Sequence, residues 1–328
     1  MDENNDNKVK SFGIVEQPVA TAPVMSPPAG HAQFTANTYH GQFTLALRAL
    51  EPVHVGTGVV VMGDDVGSSA PLVRPMTQQT DGTLIIPGTS LKGCLRSMYE
   101  AITPSTLGTK SAGIPPQFKP SMYSWKNRDI CPASHIFGAM GYQGLLSVGD
   151  AVCDTPAELG EIPLLYSPKK PKADYPEHLP RRFYRALHTR LATDNDDTPK
   201  TAVAQRAPVE AVFTTQLRLK NLTLEEIGLL LIVLGQHSDF PLSLKLGAAK
   251  GYGFGTLTAT VVETAVYSTE TLTQNRYLSY SSENTSLDRE TLFTRALEAA
   301  CSGSLLKETQ LKQLCSILPN STQETSNE

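Results

Sequence analysis

This chain of 328 residues is poor in aromatic and charged side chains, at 7% and 18% of its residues, and it holds a single Trp. Without a run of aromatics on one strand, it lacks the stacking platform of the commonest single-strand RNA-binding domains. No apolar run reaches the ~18 residues of a membrane span, so a membrane partner is not expected. Cysteines number five, an odd count at irregular spacings with no C-x-x-C pair, which argues against a disulfide framework and for a reducing, cytoplasmic setting. The opening MDENNDNKVK is polar and partly acidic, unlike a signal peptide. A basic excess is missing too, since the formal net charge is −4. That deficit lies at the ends: residues 1–40 and 271–328 are each net −2, and the body between them is neutral.

What the body does contain is organised around Ile85-Ile86-Pro87-Gly88-Thr89-Ser90-Leu91-Lys92-Gly93-Cys94-Leu95-Arg96. Pro87-Gly88 breaks an extended apolar run, and Thr89 or Ser90 then offers an oxygen to cap a helix start. Leu91, Cys94, Leu95, Met98 and Ile102 follow at helical spacing as one apolar face. Lys92, Arg96 and Glu100 recur every fourth residue on the opposite face. A helix start with free N–H groups and two cations behind it suits an anion such as a phosphate. The same pattern equally describes an ordinary capped helix with a solvated basic face.

On either side, hydrophobic periodicity gives a strand–helix–strand order twice over. Phe43, Leu45 and Leu47 alternate with polar residues in a strand from Gln42 to Leu50, which runs into the turn Val53-His54-Val55-Gly56-Thr57-Gly58. Gly144 to Cys153 reads as a second strand, and Glu210 to Lys220 as a third. Thr223-Leu224-Glu225-Glu226 is a capping box with Leu222 and Ile227 as its hydrophobic staple, and the helix it opens ends at Gly235. Gly255 to Glu263 closes the set. This order predicts an α+β, ferredoxin-like (RRM-like) sheet over residues 41–270, with large insertions at 104–130 and 160–209. Residues 1–40, with four prolines in the first 38, read as a disordered or extended arm; residues 271–328 read as a helical extension with a frayed tail.

Several smaller patterns bear on chemistry. Residues 169–190 carry a local +5 with Tyr175, Phe183 and Tyr184 interleaved, either a nucleic-acid patch or a solvated loop. Gly251-x-Gly253-x-Gly255 precedes a strand, so it fits neither a dinucleotide fingerprint nor a P-loop. Its glycines let backbone amides approach a ligand closely, with Lys250 supplying a cation; a plain hairpin turn uses the same residues. Asp64 and Asp65 stand in a long glycine-flanked loop from Val59 to Asp81, where paired acids are either solvated turn residues or a functional pair.

The IPGTSLKGCLRS stretch resembles the I-P-G-[ST]-S-L-K-G-x-[IL]-R signature of the RAMP superfamily, the repeat-associated RNA-binding proteins of CRISPR systems. It is most similar to the backbone group of type III effector complexes. His135-Ile136-Phe137-Gly138 followed by Leu145 to Asp150, and Leu246 to Gly255, extend the likeness in family order over roughly residues 41–265. The resemblance implies a subunit that holds guide RNA by its phosphates and presents it to target RNA, together with other copies of itself and other effector subunits. It places His54, Thr89, Ser90, Lys92, Arg96, Arg181, Arg182, Tyr184, Lys250, Gly251, Tyr252 and Gly253 at RNA, and a thumb-like hairpin at Lys200 to Pro208. Relatives often hold zinc near Cys131 and His135, with Cys153 a further candidate, although a structural zinc wants four close ligands. Family members cut target RNA with a loop Asp ahead of a small residue and Pro; here Ser69 precedes Ala70-Pro71. Cleavage with magnesium or manganese would therefore fall to Asp64 or Asp65. A guide-processing ribonuclease of the same superfamily is the other enzymatic reading, and it needs an acid–base pair beside the glycine loop.

Overall fold

The computed structural model describes residues 11–108, 114–163, 178–186, 201–278 and 286–320. Lys169, Lys170, Lys172, Tyr175, His188, Arg190, the acidic run 194–197 and the last eight residues lie outside them.

The elements run β1 (Phe12–Pro18), β2 (Tyr39–Ala49), β3 (Val61–Met62), β4 (Leu72–Val73), β5 (Leu84–Ile86), α1 (Gly88–Ile102), α2 (Pro132–Phe137), β6 (Leu146–Val148) and β7 (Ala151–Cys153). They continue with β8 (Glu158–Pro163), β9 (His178–Tyr184), β10 (Thr201–Arg206), β11 (Val212–Leu222), α3 (Leu224–Val233), β12 (Leu244–Lys245), β13 (Thr256–Ser268), α4 (Thr269–Leu278), α5 (Arg289–Ser302) and α6 (Glu308–Ile317). The main sheet is antiparallel, in the order β12-β13-β2-β11-β7-β5, with β6 also paired to β11. Stripped of its edges, β13-β2-β11 followed by the interrupted β6–β7 is the 4-1-3-2 order of a ferredoxin-like unit. Its two helices, α1 and α3, occupy the expected places in the chain. The fold is the α+β, RRM-like sheet that the hydrophobic periodicity predicts.

Alternation decides which face is covered. Phe43, Leu45, Leu47 and Ala49 of β2, and Phe213, Leu217 and Leu219 of β11, are buried. Arg48, Thr214, Gln216 and Arg218 on the other face stay open. Helix α3 is apolar nearly all round because it is buried nearly all round, packing on α5 and α1. Its capping box forms as expected: Thr223 Oγ1 accepts the Glu226 N–H at 3.2 Å, and the Thr223 N–H donates to Glu226 Oε2 at 2.9 Å.

Three expectations need correction. Of the two readings of the N-terminal arm, disorder does not hold for residues 12–18, which are extended and paired: β1 runs antiparallel to β9, Phe12 against Tyr184 through Pro18 against His178. Val15 is fully buried in that ladder, and Gln17 is tied by its side-chain amide to the Glu100 carbonyl at 2.7 Å. Helix α1 is not capped by Thr89 or Ser90. It starts at Gly88, so both hydroxyls already lie in its first turn, and the Asp150 carboxylate accepts the Gly88 N–H at 2.7 Å instead. Glu100, read as part of an open polar face, is 3% exposed, because Arg181 from β9 closes over it.

The strands β8 and β10 pair over six residues, and Arg74 is bridged to Ala204 of β10. Of the segment 200–208 expected to form a thumb-like hairpin, residues 201–206 are strand β10, but their partner is β8 from residues 158–163 and not a second strand of that segment. The ladder is stitched through Arg74 to the loop that carries Asp64 and Asp65.

Candidate RNA-binding cleft

At the β12 edge of the sheet, beside α1, lies a cleft of about 580 Å³. Four separated stretches of sequence, with Leu318 from the C-terminal end, form its walls. Helix α1 contributes Ser90, Gly93, Cys94 and Ser97, and the turn after β2 contributes Val55 and Gly56. The end of β9 brings Arg182, Phe183 and Tyr184, and the chain from Lys245 to Lys250 forms the remaining side. The signature helix, the H-x-G turn, the Arg-Arg-Phe-Tyr strand and the start of the glycine-rich segment thus converge on one cavity.

The glycine segment takes its shape from tight backbone contacts. Gly255 has φ +80°, and a Cβ there would run into the Leu246 carbonyl oxygen, so no other residue fits. Residues 250–252 form a single 3-10 turn, and Lys250 Nζ donates to the Gly247 carbonyl at 3.0 Å. Tyr184 lies across Gly251: a Cβ at that glycine would sit 3.1 Å from the ring. Arg182 stacks its guanidinium over the Phe12 ring, 5.0 Å from the centroid, so β1 steadies one wall of the cleft.

Of the residues that the family resemblance places at RNA, Ser90, Arg182, Tyr184 and Lys250 line the cleft. Gly251, Tyr252 and Gly253 adjoin it in the same loop. Thr89 lies in the first turn of α1, next to Ser90. The others are engaged elsewhere in the fold. Lys92 Nζ donates to the Leu146 carbonyl at 2.7 Å, and burial, with Arg96 nearby, lowers its pKa. Arg96 donates to Glu100 at 2.7 Å and to the Gly138 carbonyl at 2.9 Å; Arg181 donates to the other Glu100 oxygen at 2.9 Å and to Ser97 Oγ at 3.2 Å. The result is a nearly buried carboxylate held between two guanidiniums, which clamps β9 to the signature helix. His54 is 3% exposed and lies behind the cleft, its Nδ1–H donating to the Gln205 carbonyl of β10 at 2.6 Å. Burial lowers its pKa, against the hydrogen bond to Gln205.

Lys245 was missed. Its signal was a lone cation in the apolar run Pro241 to Leu246, on the strand that enters the glycine loop. It is 8% exposed, donates to Thr256 Oγ1 at 2.7 Å, and is pushed down by burial to about 8. Glu51, whose charge acts on it, is raised by burial to about 7.

Asp64 and Asp65 are exposed in a short 3-10 turn, 63–66, between β3 and β4; they do not line the cleft, and Ser69 is exposed beside them. Cys131 Sγ lies 3.1 Å from Thr106 Oγ1 and 3.2 Å from Ser134 Oγ. His135 Nε2 bonds the Ser26 carbonyl at 2.9 Å and faces Glu226. Burial opposes the His135 charge, but the Glu226 carboxylate and the Ser26 carbonyl outweigh it and raise the pKa. Cys153 is buried in β7. Among the described residues no three His, Cys, Asp or Glu side chains converge, short of the four donors a structural zinc takes.

An RRM-like α+β domain whose cleft is rimmed by lysine, arginine and tyrosine is the class of molecule that these features define. The family model described as the RAMP superfamily matches residues 46–258, from β2 into β13, and the chain belongs to that superfamily. Membership brings a CRISPR-associated, RNA-binding function with it. No curated protein matches the chain. No helix among the described residues is long and apolar enough to cross a membrane.

Proposed function

We propose that the chain is a backbone-type subunit of a CRISPR effector complex, which holds guide RNA in the cleft and presents it to target RNA. The observation that carries this reading is the convergence of four family-like segments on one cation-rimmed cavity. Lys250 and Arg182 meet phosphates, Tyr184 offers a ring to a base or sugar, and the glycine loop lets the strand lie close to backbone. Such contacts position RNA without reading its sequence, which leaves recognition of the target to base pairing. Further copies of the chain and other effector subunits complete the assembly. On this reading the subunit itself does not cut: Ser69 stands where relatives have their loop Asp, and Asp64 and Asp65 are exposed and do not line the cleft.

Co-purification from cells that express the whole effector operon, followed by sequencing of the bound RNA, tests the reading. The expected result is short RNA from one repeat-flanked locus with the wild type, and uniformly reduced RNA with Arg182→Ala/Lys250→Ala. Random cellular RNA, or an unchanged yield from the double variant, would sink it.

A further inference from the structure

We propose that Lys245 is the residue with which the cleft grips a phosphodiester of single-stranded RNA, and that Gly93 keeps the path to it open. The inference rests on the cleft being the RNA site and names its anion-binding group, which neither the sequence signature nor the family match assigns.

Charge at the cleft is distributed unexpectedly. The signature helix turns its own cations inward, Lys92 onto the Leu146 carbonyl and Arg96 onto Glu100 and Gly138. Lys245 instead lines the cleft from strand β12 while 8% exposed. An ammonium has three protons to donate, and Thr256 Oγ1 takes one at 2.7 Å. No carboxylate is among the residues lining the cavity, which also carries Lys250 and Arg182; the one acid whose charge acts on Lys245, Glu51, is not part of that lining. A buried ammonium is poorly solvated, so an anionic oxygen brought to it replaces hydration already lost and binds more strongly than at an exposed lysine. With its pKa about 8, Lys245 carries that charge at neutral pH.

Gly93 is an independent observation. It lies inside helix α1, where glycine is about 1 kcal/mol less favourable than alanine. Packing does not demand it, since a Cβ there would meet no protein atom within 4 Å. It lines the cleft between Ser90 and Ser97, so this face of the helix presents bare backbone to the cavity. The adjacent Cys94 Sγ reaches the Lys245 carbonyl oxygen at 3.6 Å, which puts strand β12 beside this turn of α1. A large side chain at 93 would project into the space that leads to Lys245. The helix bears an unfavourable residue where the cleft needs volume.

The experiment is a salt titration of a labelled single-stranded oligoribonucleotide against the full chain, read by fluorescence anisotropy, with thermal midpoints measured alongside. Lys245→Met should bind about tenfold or more weakly. Its slope of log affinity against log salt should fall by about 0.7 for the lost phosphate. Its thermal midpoint should be equal to or above that of the wild type, because a buried charge gives way to an apolar chain of similar volume. Gly93→Leu should raise the midpoint and still weaken binding. If Lys250→Ala lowers the slope and Lys245→Met leaves it unchanged, the proposal falls while the cleft remains the RNA site. If neither variant changes the slope, the cleft reading falls as well. Should Lys245→Met not fold, Gly93→Leu decides, and full affinity in that folded variant overturns the proposal. Displacement of the RNA by equimolar mononucleotide would point to a nucleotide site and overturn it too.

Discussion

Glu51 and Lys245 give this protein a pH signature at the scale of single residues. The Glu51 pKa rises from 4.5 to about 7 on folding, so its contribution to stability is full below about 4.5 and is lost as pH rises through 7. The Lys245 pKa falls from 10.5 to about 8, so its contribution is full above 10.5 and is lost as pH falls through 8. Both contributions are missing between about pH 7 and 8. Glu51→Gln/Lys245→Met should therefore gain most in thermal midpoint over the wild type in that window, and less on either side; a gain independent of pH would show that the two groups do not titrate as described. The Arg96–Glu100–Arg181 cluster behaves differently, because its carboxylate is 4% exposed and bonded on both oxygens. Glu100→Ala leaves two guanidiniums facing each other and should cost about 3–5 kcal/mol in urea unfolding. A cost below 1 kcal/mol would mean that β9 is held to α1 by packing alone.

Two helix starts make the contrast at the scale of elements. Helix α3 is capped from its own sequence, Thr223 and Glu226 exchanging bonds across one turn. Helix α1 is capped from a distance, by Asp150, which is 62 residues further along the chain. Thr223→Ala should cost about 1 kcal/mol, as a local cap does. Asp150→Ala should cost a similar amount but also loosen the β6–β7 corner against α1, visible as faster amide exchange at residues 146–153. If Asp150→Ala leaves exchange there unchanged, the carboxylate serves the helix end only. The occupied N-terminus also shifts the expected anion site: a phosphate at Gly88 would have to displace a carboxylate, whereas the side of the helix at Gly93 is open.

For the whole molecule, the question is what the cleft and the acidic loop do together in an assembled complex. With matched labelled RNA and magnesium or manganese, the complex should show no cut that depends on this subunit, and Asp64→Ala/Asp65→Ala should change nothing. Regularly spaced cuts that vanish in the double variant would restore a catalytic role to the β3–β4 loop. The sequence by itself determined the ferredoxin-like order, the capping box of α3 and the identity of the signature helix, because each rests on residues within a few positions of one another. Period-2 and period-3.6 burial are properties of one element and its own side chains. Tertiary structure decided what those motifs face. Whether Lys92 or Lys245 reaches the cleft depends on how β12 is laid beside α1. Whether Glu100 is surface or core depends on Arg181, 81 residues further along the chain. Residues 12–18 became a strand only because β9 offered them a partner. A short alternating segment such as Phe12–Pro18 has no stability of its own, and its hydrogen bonds exist only where another strand is brought to it.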